Sequence, residues 1–307
     1  MLSTHSMTQK TATDHALTVA VAGGKGGVGK TSVALALVQS IINSGHELTL
    51  LDCDVENPNC HLYLTTKRQT SQPVHQEVPE FDPDACIHCG QCADFCNFNA
   101  LADIGTDLLV FNELCHSCGG CIRLCPQGAL IPSKQIIGHV FTCESKNLAF
   151  FYGLLKVGSP RTTAVIESVE SAAIKLRKPT PNNTAPDLTI VDAAPGTGCA
   201  AVAAITQADF VILVTEPTPY GLHDLTLSVE MLQSLDKPFG VVVNRMEPDR
   251  TAISDYCTEN KIPLLLEIPF SRDVAVACAE RKGILHALPQ LEPAFLKMFN
   301  EAVRLVL

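Results

Sequence analysis

Eight of the chain's fourteen cysteines fall in one window, at the spacing of a soft-metal ligand set. The first four read Cys86-x2-Cys89-x2-Cys92-x3-Cys96, and the second four Cys115-x2-Cys118-x2-Cys121-x3-Cys125-Pro126. Thiolate sulfur is the ligand iron–sulfur chemistry requires, and cysteines separated by two residues can wrap one corner of a cubane. Structural zinc uses four ligands in two pairs, so a triplet-plus-one order written twice favours iron. Upstream lies Gly23-Gly24-Lys25-Gly26-Gly27-Val28-Gly29-Lys30-Thr31-Ser32. Such glycines let backbone N–H groups turn inward as an anion nest, and a following helix adds its partial positive charge. Lys30 can reach the β- and γ-phosphates of a nucleotide, and the Thr31 hydroxyl can bind Mg2+. One chain therefore offers a nucleotide switch and two electron-carrying centres.

Those groups need elements to position them. Residues 17–22 form a β-rich run feeding the glycine loop, residues 30–44 are helix-like, and Gly45 closes that helix. A second strand, 48–51, ends in Asp52-Cys53-Asp54. No period is legible over 55–79, where polar residues, proline and threonine dominate. After the cysteines come a helical stretch and a polar Pro/Asn segment (178–186). Apolar strands then recur at 188–191, 210–214, 239–243 and 264–268, with helix-like segments such as 223–235 and 251–261 between them. Continuously apolar strands alternating with helices predict a doubly wound, mostly parallel α/β sheet covered on both faces. The expected organisation is a loose tail over 1–16 and a discontinuous nucleotide domain over 17–79 and 134–307. A small α+β unit is inserted over 80–133.

With 307 residues, 46% apolar and 18% charged, the chain has ample material for a core. A net charge of −10 without a basic run argues against nucleic acid and against an anionic membrane. No apolar run approaches the roughly 18 residues that cross a bilayer. Residues 1–16 lack the apolar stretch of a signal peptide. Cysteines bunched at ligand spacing fit a reducing cytoplasm rather than a disulfide framework. The amphipathic stretch 295–307 has only Lys297 and Arg304 as cations and reads as a packed terminal helix.

Lys25 is what an ordinary Walker A loop lacks. With it the chain resembles the deviant-Walker, MinD-like ATPases, which include the nitrogenase iron protein and the Mrp-type iron–sulfur carriers. Over nearly everything after residue 16 it is similar to members containing an inserted ferredoxin domain. The resemblance implies an ATP-sandwich homodimer in which Lys25 reaches the partner's nucleotide. Gly24, Gly26, Gly27, Val28, Gly29, Lys30, Thr31 and Ser32 would cradle ATP or ADP. Asp52 and Asp54 match switch I, with Asp54 assigned to the attacking water and Asp52 to the Mg2+ shell, the division between them open. Asp192-Ala-Ala-Pro-Gly196 looks like Walker B running into switch II. Asp192 would hold Mg2+ through water, and the Gly196 N–H would sense the γ-phosphate. Asn244 resembles an asparagine that meets adenine, and Pro269, in Ile268-Pro269-Phe270, a segment that lines the base.

The cysteine spacing is similar to that of bacterial ferredoxins, in which the fourth cysteine of each run serves the other cluster. Two 4Fe-4S clusters would then be held by Cys86, Cys89, Cys92 and Cys125, and by Cys115, Cys118, Cys121 and Cys96. Asn97 stands where a proline usually follows Cys96, which touches the loop rather than ligation. Of the other six cysteines, Cys199 sits where the nitrogenase iron protein has a cluster ligand. A bridging cluster there needs a second cysteine, none is identifiable, and a small buried cysteine is expected instead. No Cys-x-x-Cys near the C-terminus matches the one Mrp-type carriers use, which counts against cluster delivery.

The expected function is a cytoplasmic ATPase, converting ATP and water to ADP and phosphate. Its ATP-driven homodimer switching would act on the two clusters and gate electron transfer to or from an unidentified protein. The alternatives are a metallocluster assembly ATPase acting on an apo-metalloprotein, and a nucleotide-dependent redox-sensing or positioning protein.

Overall fold

A computed structural model describes residues 17–65, 68–145, 147–176 and 188–306. The expected tail (1–16) and the polar segment (178–186) lie outside the described residues.

β1 (Leu17–Ala22) runs into the glycine loop and α1 (Lys30–Asn43). α1 is buried through Val33, Ala34, Leu35, Ala36, Leu37 and Val38, as a helix apolar on nearly every side must be. It stops in a Schellman turn, where Gly45 (φ 95°) donates to the Ile42 carbonyl and His46 to that of Ile41. β2 (Leu48–Asp52) then carries Asp52 to the carboxyl edge of the sheet. β3 (Arg68–Phe81) leads outward to the cysteine unit, which contains α2 (Gln91–Phe95), β4 (Leu101–Asp103), β5 (Leu108–Val110) and α3 (Gly120–Leu124). β6 (Leu130–Glu144) returns, followed by β7 (Leu148–Leu155) and α4 (Thr162–Leu176). The rest alternates: β8 (Leu188–Asp192), α5 (Cys199–Ile205), β9 (Phe210–Thr215), α6 (Pro219–Ser234), β10 (Phe239–Met246) and α7 (Ala252–Glu259). β11 (Leu264–Pro269), α8 (Arg272–Ala279), α9 (Ile284–Ala287) and α10 (Glu292–Val306) complete it.

The main sheet has nine strands in the order β11-β10-β9-β1-β8-β2-β7-β6-β3. Every pair from β11 to β7 is parallel, and β6 and β3 extend the edge antiparallel. The expected mostly parallel, doubly wound architecture is thus present. Val19 and Val21 of β1 join Phe210, Ile212 and Val214 in the core facing α1 and α10. Ala20 and Ala22 join Val211 and Leu213 in the opposite core, with Val165 and Val169 of α4. Burial on both faces is why these strands read as unbroken apolar runs. Among the described residues no helix is long and apolar enough to cross a membrane. α10 instead buries Phe295, Met298 and Ala302.

Two stretches differ from the sequence-based expectation. The patternless segment 55–79 contains most of β3, and the stretch read as helical contains β6 and β7 before α4. β3 is an edge strand paired only with β6, so it stays largely exposed and accommodates Pro73 and Pro79. β7 is a short apolar run whose period does not separate strand from helix. The β3–β6 ladder runs from Arg68↔Glu144 to Phe81↔Leu130, so the cysteine unit hangs from its far end as residues 82–129.

Phe150 on β7 is fully buried, and Phe150→Ala should cost roughly 3–5 kcal/mol through the cavity it leaves. A thermal midpoint equal to the parent's would show that β7 is not packed as described.

Candidate functional site

The glycine loop is shaped by contacts that only glycine permits. A Cβ on Gly24 would stand 2.6 Å from the Asp224 carbonyl oxygen. Gly29 adopts φ 99°, and a Cβ there would run into the Asn244 amide. Asn244 braces the loop by donating from Nδ2 to the Val28 carbonyl at 2.8 Å. The amide proposed from sequence for adenine is therefore engaged with the phosphate loop. Pro269 lies on the neighbouring strand, in register with Met246, beside Phe270, which is more than half exposed. Gly26 and Gly27 are exposed with open space around them. Ser32 Oγ lies 3.8 Å from Cys278 Sγ. Gly196 (φ 89°) donates its N–H to the Gly23 carbonyl at 3.0 Å, so switch II is tied to the phosphate loop.

Below the loop, neighbouring strands set two carboxylates side by side. Asp52 and Asp192 are register partners in the β2–β8 pair, and their exposures are 0% and 1%. Asp52 accepts three backbone N–H bonds, from Asp54 at 3.2 Å, Asn59 at 2.9 Å and Cys60 at 3.0 Å. Burial, partly opposed by those bonds, lifts its pKa to about 6. Burial and the Asp52 charge lift Asp192 to about 8. The Cys60 thiol donates to Asp192 Oδ2 at 3.4 Å, while Asp192 Oδ1 is buried without any hydrogen-bond partner. Lys30, also buried, has its pKa lowered by desolvation and pulled back by Asp192 and Asp54. Asp54 is raised by burial and lowered by Lys30. The structure thus brings Lys30, Thr31, Asp52, Asp54 and Asp192 together. An orphaned carboxylate oxygen beside a threonine hydroxyl fits Mg2+, which Thr31, Asp192 and Asp52 would hold and which would neutralise phosphate charge.

Lys25 points elsewhere. Its Nζ is 2.6 Å from Glu216 Oε1, and Arg245 Nη1 takes Glu216 Oε2 at 2.9 Å. Together the two cations hold the Glu216 pKa below its ordinary value despite burial. Glu216 and Arg245 were not identified from sequence. A carboxylate just past the carboxyl end of an apolar strand was the available signal for Glu216, whereas nothing in the sequence marks Cys60.

The eight cysteines gather into two cavities. Cys86, Cys89, Cys92 and Cys125 line one, and Cys96, Cys115, Cys118 and Cys121 line the other. Each motif residue recurs 29 positions later, and so does its backbone. His88 (φ 51°) matches Ser117 (φ 54°), and Gly90 (φ 73°) matches Gly119 (φ 66°). Backbone N–H groups aim at sulfur in the same pattern: His88 to Cys86 and Ser117 to Cys115, both at 3.4 Å, then Ala100 to Cys96 at 3.4 Å and Ala129 to Cys125 at 3.2 Å. Four soft donors around a cavity, with N–H groups placed to stabilise thiolate charge, fit an iron–sulfur cluster that supplies one-electron chemistry. Cys199, expected to be buried, is exposed at the start of α5, where the preceding Gly-Thr-Gly turn leaves it uncovered.

A family model described as the CobQ/CobB/MinD/ParA nucleotide binding domain matches residues 19–284. The chain belongs to that family. An uncharacterized protein of Methanocaldococcus jannaschii is 30% identical over 269 residues, 87% of this chain and 91% of that protein. An iron–sulfur cluster carrier protein of Pyrococcus abyssi is 25% identical over 268 residues, 87% of this chain and 70% of the relative. Among solved structures, the septum site-determining protein MinD of Pyrococcus horikoshii, complexed with Mg-ADP, superposes with a TM-score of 0.56 at 17% identity. That match covers 93% of this chain and 95% of MinD, and it concerns the fold. The P-loop resemblance noted in the sequence is borne out for the nucleotide-binding domain.

Asp52 and Asp192, with Glu170 raised by burial to about 7, hold protons in the folded state where the unfolded chain has lost them. Stability from these groups is complete below their ordinary values and is lost as pH rises through about 6 to 8. Differential scanning calorimetry of the nucleotide-free protein should show its midpoint falling across that window. Asp192→Asn should flatten the fall yet weaken Mg-nucleotide binding by roughly tenfold or more. Unchanged affinity would remove Asp192 from the metal site.

Proposed function

We propose that this is an ATP-hydrolysing iron–sulfur protein of the reducing cytoplasm, in which ATP-driven homodimer formation resets two 4Fe-4S clusters and gates electron transfer to a protein partner. The observation that carries the reading is architectural. The stems of the cysteine unit, β3 and β6, belong to the same sheet that presents the phosphate loop and both buried carboxylates. A nucleotide event at the loop therefore acts on a body to which both cysteine cages are attached through strands.

Each part of the switch has a resting partner to give up. The Gly196 N–H is engaged by Gly23, and a γ-phosphate competing for it would draw switch II toward the nucleotide. Lys25 is held in cis by Glu216, and leaving that carboxylate makes it available to the nucleotide of a second subunit. Asp54 is close enough to Lys30 for the two charges to act on each other, which supports its assignment to the attacking water. A second reading, cluster handover to an apo-metalloprotein, draws support from the cluster carrier protein of P. abyssi.

EPR-monitored redox titration of anaerobically purified protein, with and without Mg-ATP, separates these readings. Gating requires that ATP move at least one midpoint potential and that Lys25→Ala abolish the movement. Glu216→Gln, which frees Lys25, should shift ATP-dependent dimerisation in sedimentation to lower ATP concentration. Potentials indifferent to ATP, with clusters passing to an apo-acceptor on ATP addition, would replace gating with assembly.

A further inference from the structure

The two cysteine cages are alike internally but differ in what they touch. The cage of Cys96, Cys115, Cys118 and Cys121 is lined by Glu77, Val78 and Pro79 of β3, so it lies against the stem. Ser117 Oγ donates to the Glu77 carbonyl, adding a second tie to that strand. The decisive contact comes from the nucleotide body. Arg161, immediately before α4, donates from Nη1 to the His116 carbonyl at 3.0 Å, inside the Cys115–Cys118 loop. His116 in turn stacks on Phe98 at a centroid separation of 3.7 Å, next to the loop that supplies Cys96. The position equivalent to His116 in the other motif is Ile87, which is 60% exposed. Among the described residues, no hydrogen bond or ion pair joins the Cys86–Cys89 loop to the nucleotide body. His88 pairs only within the unit, with Asp103 at 3.6 Å.

Arg161 brings a positive charge to this ligand loop. Among the described residues it forms no ion pair, and its Nε is buried without a hydrogen-bond partner. A cluster gains a negative charge on reduction, so a cation beside its ligand loop favours the reduced form and raises the potential. The neighbouring Thr162 donates from Oγ1 to Glu56 Oε1 at 3.2 Å, and Glu56 lies two residues past Asp54. One short segment, 161–162, thus touches both the turn beneath the phosphate loop and one cysteine loop.

We propose that Arg161 is a positioning residue for the cluster held by Cys96, Cys115, Cys118 and Cys121, setting its potential and making it, rather than the other cluster, the one that responds to nucleotide. The potential-setting half rests on the cluster binding proposed above, and the response half rests also on the nucleotide gating.

The test is an EPR redox titration of the full-length, cluster-loaded protein as parent, Arg161→Gln, Arg161→Lys and Thr162→Val, after iron content has been matched. Without nucleotide, Arg161→Gln should lower one midpoint potential and leave the other in place, and Arg161→Lys should restore most of the loss. With Mg-ATP, the parent's shift should fall on that same cluster and be lost in Thr162→Val. If Arg161→Gln cannot hold a full iron complement, selective loss of one cluster that Arg161→Lys restores supports the same assignment. Both potentials moving equally, or neither, would overturn the potential-setting role. A response to Mg-ATP on the other cluster would overturn the nucleotide assignment. A selective Arg161→Gln effect in a protein whose parent ignores Mg-ATP upholds potential setting and removes gating.

Discussion

Two carboxylates, Asp52 and Asp192, are forced side by side at the end of adjacent parallel strands, in a place water does not reach. Burying them is costly, and three features offset the cost. Lys30 lies close enough to act on Asp192, three backbone N–H groups converge on Asp52, and both groups hold protons more tightly than in water. The three N–H groups matter most for shape. They belong to Asp54, Asn59 and Cys60, so satisfying Asp52 curls the chain after β2 into one fixed turn. That turn presents Asp54 toward the phosphate loop and Val55 and Glu56 toward the rest of the molecule. A cation bound with nucleotide between Asp52 and Asp192 would change the charge balance that holds the turn.

From the turn the contacts run outward through packed backbone. The Val55 carbonyl accepts from Leu155 at the end of β7, and Gly153 lets Val55 lie flat on that strand, since a Cβ there would come within 2.6 Å of it. Lys156 donates to the Ile137 carbonyl, at the point where the β3–β6 register shifts. A bulge at that position bends the ribbon, so the ribbon's direction, and with it the placement of the cysteine unit, is set where β7 meets it. The unit has a small apolar core of its own, built around Leu101, Leu108, Cys121 and Leu130. Metal binding by eight thiolates would add folding free energy to so small a core.

Much of this was legible in the residues because the chemistry is local in sequence. A phosphate loop is contiguous, and the cysteine spacing resembles that of bacterial ferredoxins, a resemblance that implies the exchange of Cys96 and Cys125 between cages. The two-faced strands advertised themselves through unbroken apolar runs. What stayed illegible depends on distant partners. β3 reads as polar because an edge strand has one neighbour and an exposed surface, and its long ladder with β6 is a non-local pairing. Glu216 and Arg245 gain meaning only when folding brings them to Lys25, and Cys60 only when the turn places its thiol against Asp192. Arg161 carries no motif at all. Its role comes from a carbonyl 45 residues away.

The dependence of the cysteine unit on the turn below the phosphate loop is tested most directly by hydrogen exchange on the anaerobic, cluster-loaded protein, with and without Mg2+ and a non-hydrolysable ATP analogue. Exchange should slow, or quicken, together in residues 53–60 and residues 115–118, with 86–89 left as it was. Protection confined to the phosphate loop, with 115–118 unaffected, would mean that the nucleotide site and the clusters share a chain without sharing a mechanism.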